Sequence, residues 1–264
     1  MMTNSYARNS GPSWFERLSP ASVPSLRLFC FSYAGGSSEI YRSWQRWLPE
    51  QIDVCLVHLP GRGKRMKEQA FTRLTALVNA MADCIHDEIN VPYALYGHSM
   101  GALISFELGR ELFRRHDVGP KHLFVSGHCA PQWPRNEPAT FNLPHHKFIA
   151  ELKRLNGTPG EILENPELLE LFIHPLRADF EVVDTYEYRP GERLPCPITV
   201  YGGLQDARVP LESCRAWQEQ SSAGCKVRMM KGDHFFIRNP ESEFMSVFRN
   251  DVLNAVPVSR AQEV

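Results

Sequence analysis

The stretch Gly97-His98-Ser99-Met100-Gly101 sets a hydroxyl between two residues without side chains. An apolar run, YALY, precedes it, and an apolar-periodic segment, GALISFELG, overlaps its end and continues. G-x-S-x-G at a strand-to-helix joint is the nucleophile elbow, a strained turn that holds a serine Oγ clear of the backbone. Bulk two positions before or after the serine would collide with the turn, and Gly97 and Gly101 avoid it. The N-terminus of the following helix offers unpaired N–H groups and the positive end of a dipole to a developing oxyanion. A glycine-rich turn with a capping serine would share this pattern, so further residues must complete the chemistry.

A hydroxyl needs a base, and the base needs an acid to orient it. With an elbow serine the chain order is Ser, then Asp or Glu, then His. That order prunes the ten histidines to one once the acid is chosen. Asp206, in VYGGLQDARVP, directly follows a strand-like run, where open α/β sheets present functional residues. His234, in KGDHFFI, is the one histidine after it and also follows such a run. Asp233 competes for the acid role, but an immediate neighbour is poorly placed to reach the His234 ring. Asp179 and Asp184 lie between the strands and are weaker candidates. The expected oxyanion donors are the N–H of Met100 and one from the loop SYAGGSS, assigned to Ala34 with Tyr33 as the alternative.

These residues need elements to hold them. Short apolar runs at 26–33, 52–59, 93–98, 121–127, 197–203 and 225–232 read as buried parallel strands. Helix-like segments alternate with them, including SSEIYRSWQRWL, LTALVNAMADCIHDEI and VPLESCRAWQEQS. The pattern predicts an α/β fold with a mostly parallel central sheet and helices on both faces. One interval breaks the rhythm. It carries HHKFIAELKRLNG and NPELLELFIHPLRADFEVVDTY, with Pro175 as an expected kink. Residues 138–190 are expected to form a helical lid inserted in one domain spanning 1–264. The first 24 residues and the last eight read as loose ends.

The chain of 264 residues is long enough for one large core, with 43% hydrophobic and 22% charged residues. A formal net charge of −1 leaves no basic footprint for nucleic acid. No run spans a bilayer, and the polar start is unlike a secretory signal, so no membrane association and a cytoplasmic location are expected. Seven cysteines, an odd count without CxxC, speak against disulfides or a zinc site and for a reducing compartment. No metal or cofactor is expected.

Together LFCFSYAGGSS, LPGRGKR, YGHSMGALISFEL, VYGGLQDARVP and KGDHFFI resemble the type II thioesterases of polyketide synthases and nonribosomal peptide synthetases. The resemblance runs from about Leu26 to about Leu253. It implies an α/β-hydrolase that removes acyl groups from the phosphopantetheine arm of acyl or peptidyl carrier proteins. Ser99 matches the nucleophile, Asp206 the acid, His234 the base, and Ala34 and Met100 the oxyanion donors. Ser32 departs from the family pattern, which has proline there. A carboxylesterase or lipase would use the same triad on oxygen esters, and a carrier-binding protein with an idle triad is a third reading. Carrier domains of these synthases generally present an acidic helix, so the basic run Arg62, Lys64, Arg65 and Lys67 reads first as a solvated loop that balances nearby acids and, as the alternative, as a docking patch.

Overall fold

The computed structural model describes residues 13–18, 24–135, 137–238 and 243–256. Among these residues seven strands form one sheet in the order β1-β3-β2-β4-β5-β6-β7. They are β1 (Phe15–Arg17), β2 (Leu26–Phe31), β3 (Ile52–Val57), β4 (Tyr93–His98), β5 (His122–Ser126), β6 (Ile198–Gly203) and β7 (Cys225–Met230). β2 to β7 are the six expected strands, and every pairing among them is parallel. β1 is a correction to the expected loose N-terminal end. It runs antiparallel to β3, and the Phe15 ring packs 5.6 Å from that of Phe29 beneath the sheet. The last eight residues lie outside the described ones.

The helices are α1 (Leu74–Cys84), α2 (Met100–His116), α3 (His145–Leu155), α4 (Gly160–Glu164), α5 (Pro166–Asp184), α6 (Leu211–Arg215) and α7 (Glu243–Ala255). SEIYRSWQR, expected as a helix, is a 3₁₀ helix over Ser38–Arg46. Both faces of the sheet are covered, as the apolar strands require. Leu77, Met81, Leu103, Phe106 and Trp217 bury one face, from α1, α2 and the segment after α6. Tyr41, Trp44, Phe244 and Phe248 bury the other. There Trp44 meets Tyr96 edge-on at 4.8 Å, and Phe248 lies 4.9 Å from Trp44. Among the described residues no helix is long and apolar enough to cross a membrane, and all seven cysteines are free thiols.

Helices α3 to α5 fall between β5 and β6 and carry their own apolar cluster, Phe148, Leu152, Leu169, Ile173 and Leu176. The Asn165 side chain caps α5 by accepting from the N–H groups of Glu167 and Leu168, and Pro166 opens its first turn. The helix continues through Pro175, which can supply no N–H to the carbonyl of Leu171; Leu171 is 51% exposed.

The chain leaves β2 for β3 on one side and returns to β4 on the other. That reversal opens a crevice at the carboxyl ends of β2 and β4, where such sheets bind ligands.

The aromatic layer under α7 carries a direct stability expectation. Phe248→Ala empties a site with no solvent exposure between Trp44, Tyr96 and Phe124. It should lower unfolding free energy by about 3–5 kcal/mol in a urea titration, with the m-value unchanged.

Candidate active site

Ser99 follows β4 with φ 54° and ψ −117°, a conformation that side chains rarely adopt. Its N–H donates to the Ser126 carbonyl at 2.8 Å, and its own carbonyl accepts from Ala102 at 2.9 Å. The glycines on either side are required by contact. A Cβ on Gly97 would lie 1.9 Å from the Gly101 carbonyl oxygen, and one on Gly101 would lie 2.1 Å from the Phe31 carbonyl oxygen. The elbow is therefore pressed against the end of β2. Met100 is the first residue of α2, so its N–H has no acceptor within the helix.

The next loop over is Ser32–Ser37, at the end of β2. The Gly36 N–H closes a turn onto the Tyr33 carbonyl at 2.8 Å, and the buried Ser32 hydroxyl donates to the Gly36 carbonyl at 3.0 Å. That second bond ties the start of the loop to its far side. Ala34 and Ser99 line one cavity together with His234 and Tyr33.

Asp206 and His234 follow β6 and β7, which pair in register as far as Gly203 and Met230. The loops stay paired beyond the strands, with Leu204 donating to Met230 at 2.8 Å and Gln205 to Gly232 at 3.0 Å. A Cβ on Gly203 would lie 2.5 Å from the Asp233 carbonyl oxygen, so only glycine permits this approach. Asp206 is buried, and its Oδ2 accepts from His234 Nδ1 at 2.6 Å. Burial would raise the Asp206 pKa, but the hydrogen bond and charge of His234, with the Arg208 N–H, outweigh it and hold the carboxyl below its usual value. Asp233 instead caps the following turn, accepting from the Phe235 N–H at 2.8 Å. The Ser99 hydroxyl makes no hydrogen bond among the described residues; such contacts tighten on substrate binding.

His98, the residue between Gly97 and Ser99, is fully buried. Its Nδ1 meets Ser126 Oγ at 2.8 Å, and its ring lies 5.1 Å from that of His234. Burial, then the neighbouring His234 and Arg238, push its pKa well below the ordinary histidine value. A neutral His98 spares the neighbouring ring a like charge.

Two cavities meet at Ser99. One of about 80 Å³ lies under α3, between Leu152, Phe180 and Phe235. The other, about 680 Å³, is an open groove between Leu103, Trp133, Tyr188 and Val209. Arg135 and Arg208 line both.

Of the two readings of the basic run, the structure favours charges that balance nearby acids. Arg62 is buried and forks onto Asp179, with Nη2 to Oδ1 at 2.6 Å. Arg65 is buried too, pairs with Glu68 at 2.6 Å and stacks 3.7 Å over the Trp14 ring. Lys64 bonds Glu16 at 2.5 Å; burial opposes it, but Lys64, Arg42 and His58 bring the Glu16 pKa down to about 2. Only Lys67 of the four is exposed without a partner among the described residues. Glu16, Glu39 and His58 approach one another as metal ligands do. Arg42 and Lys64 already occupy the two carboxylates, so that cluster is an ion-pair network.

Sheet topology, elbow and Asp–His pair define a serine hydrolase of the α/β-hydrolase class. The chain belongs to the thioesterase family, whose thioesterase-domain model matches residues 26–250. It is similar to the gramicidin S biosynthesis protein GrsT of Aneurinibacillus migulanus, 43% identical over 232 residues, 88% of this chain and 91% of that protein. Thioesterase PikA5 of Streptomyces venezuelae is 32% identical over 250 residues, 94% of this chain and 86% of its own length. Among solved structures, the type II thioesterase BorB from the borrelidin biosynthetic cluster matches with a TM-score of 0.83. The identity is 30%, and 93% of this chain and 98% of that one are covered.

The site also predicts a pH dependence. His128, beside the groove, is half-buried with Nδ1 on the Cys129 carbonyl at 2.7 Å; desolvation of the ring leads in bringing its pKa down to about 4. Between about 6.5 and 4 the unfolded chain binds a proton there that the folded one refuses, so stability falls as pH drops through that window. Urea titrations at pH 7, 6 and 5 should show this slope, and His128→Gln should reduce it by up to about 1.4 kcal/mol per pH unit.

Proposed function

We propose that this chain is an editing type II thioesterase. It hydrolyses acyl groups from the phosphopantetheine arm of acyl or peptidyl carrier proteins in polyketide or nonribosomal peptide assembly. The observation that carries the reading is the Asp206–His234 pair beside Ser99, in a chain of the thioesterase family. The seven free thiols fit a reducing cytoplasm.

In this reading Asp206 holds the His234 Nδ1–H, which leaves Nε2 free to take the Ser99 proton. Ser99 Oγ attacks the thioester carbonyl, and the Met100 and Ala34 N–H groups receive the oxyanion. The tetrahedral intermediate expels the pantetheine sulfur, which leaves as a thiol with the proton from His234. Water, deprotonated by His234, attacks the acyl-serine; its collapse returns the proton to Ser99 and releases the carboxylic acid. The depressed pKa of Asp206 keeps the carboxylate charged opposite the imidazolium at each step. Helices α3 to α5 act as the lid over the smaller cavity, and the open groove gives an extended thioester arm a route to Ser99.

Acyl-carrier thioesters and matched oxygen esters, assayed side by side, test the substrate class. The thioester should have the higher kcat/KM; a clear preference for the oxygen ester would make the enzyme a carboxylesterase. Ser99→Ala should lower kcat on the order of 10⁶-fold in a folded protein. Asp206→Asn should lower it on the order of 10⁴-fold through the wrong imidazole tautomer, and Asp233→Asn should leave it near wild type.

A further inference from the structure

The buried carboxylate of Asp179 belongs to neither the triad nor the apolar cluster of the lid. It lies on α5 with 4% of its side chain exposed, and both oxygens are used. Oδ1 accepts from Arg62 Nη2 at 2.6 Å, and Oδ2 accepts from Arg62 Nη1. Oδ2 also accepts from the backbone N–H of Gly35 at 2.7 Å. Gly35 has φ +74°, and a Cβ there would lie 2.3 Å from Leu176 Cδ2, one turn before Asp179 on the same helix. The lid helix thus touches the loop after β2 twice, by a hydrogen bond and by the close packing of Leu176 on Gly35.

The peptide geometry gives these contacts a consequence. Tyr33 C=O and Ala34 N–H share one planar trans unit and point in opposite directions. The Gly36 N–H holds the Tyr33 carbonyl inside the turn, which turns the Ala34 N–H outward. Asp179 holds the next peptide plane, through Gly35. With both planes fixed, the φ and ψ of Ala34 have no slack. Burial keeps water from competing for this acceptor, and Arg62 supplies the counter-charge. Arg62 Nε is buried without a partner, so the guanidinium is placed for Asp179 at the expense of its own third donor.

We infer that Asp179 is a positioning residue for catalysis: from the lid helix, through the Gly35 N–H, it sets the direction in which Ala34 presents its N–H to the oxyanion. The inference rests on the reading of Ala34 as an oxyanion donor, and it is independent of which thioester is the substrate. It also makes α5 part of the catalytic framework, so that a displacement of the lid helix would disorient the donor.

The test removes the buried charges together and varies only the acceptor. Arg62→Met with Asp179→Asn keeps an oxygen for Gly35; Arg62→Met with Asp179→Leu does not. Replacing both partners of a buried pair leaves no uncompensated charge, so both proteins should fold, as checked by far-UV circular dichroism. Activity is read on a small nitrophenyl acyl ester, so the carrier reading plays no part in the outcome. The Asn protein should keep kcat within about threefold of wild type, and the Leu protein should lose about 10- to 100-fold with little change in KM. An alkyl trifluoromethyl ketone, which forms a tetrahedral adduct at the serine, should lose affinity for the Leu protein by a similar factor. A non-hydrolysable amide that mimics the ground state should bind both equally. Equal kcat in the two folded proteins would overturn the inference, as would parallel losses for the ketone and the amide. Should the Leu protein fail to fold, the same comparison is made with Asp179→Ala in the Arg62→Met background.

Discussion

The carboxyl edge of the sheet depends on how closely one backbone turn can approach another. The elbow after β4 rests on the last carbonyls of β2, with no room for a single methyl group at Gly97 or Gly101. This contact sets Ser99 at a defined height above the sheet and brings the Ser32–Ser37 loop alongside it. Parallel pairing of β2 with β4 makes the two loops neighbours, and the missing side chains let them become contacts. The Asp206–His234 pair repeats the arrangement two strands away, where Gly203 admits the Asp233 carbonyl.

Asp206 is held ionised, and His98, a ring's width from His234, is held neutral by burial. Near the β3 exit Arg62 is paired inward with Asp179, while Arg65 and Lys64 pair with the more exposed Glu68 and Glu16. The Arg62–Asp179 pair also ties α5 to the loop after β2, through the Gly35 N–H.

The strands were legible because each is a short apolar run, and parallel strands covered on both faces leave little else in the sequence. Asp206 and His234 were legible because chain order and strand ends select the same residues. β1 was not, since three residues cannot display alternation and its anchor is one ring packing on another across the sheet. α7 carries a readable signal that went unread: Phe244, Phe248 and Val252 recur at intervals of four and are buried together. Arg62 and Arg65 read as a surface run because Asp179, and the Trp14 ring under Arg65, are brought to them by the fold. Asp179 lies 117 residues from Arg62 and 144 from Gly35, and no local pattern announces such a meeting. The site's chemistry is written locally, and its support is distributed along the chain.

The two flanks of the sheet bear on how the molecule behaves in a crowd. An open strand edge is a template on which other chains can add themselves. On one flank the outermost strand is only three residues long, carries Glu16 and Arg17, and is too short to seed further pairing. On the other, β7 is only partly buried and displays Lys226 and Arg228, both drawn to Asp251 on α7. A foreign strand would have to displace these ion pairs to bond there. The charges therefore act as a barrier to aggregation, and the sheet can keep its apolar inner strands while leaving neither flank adhesive.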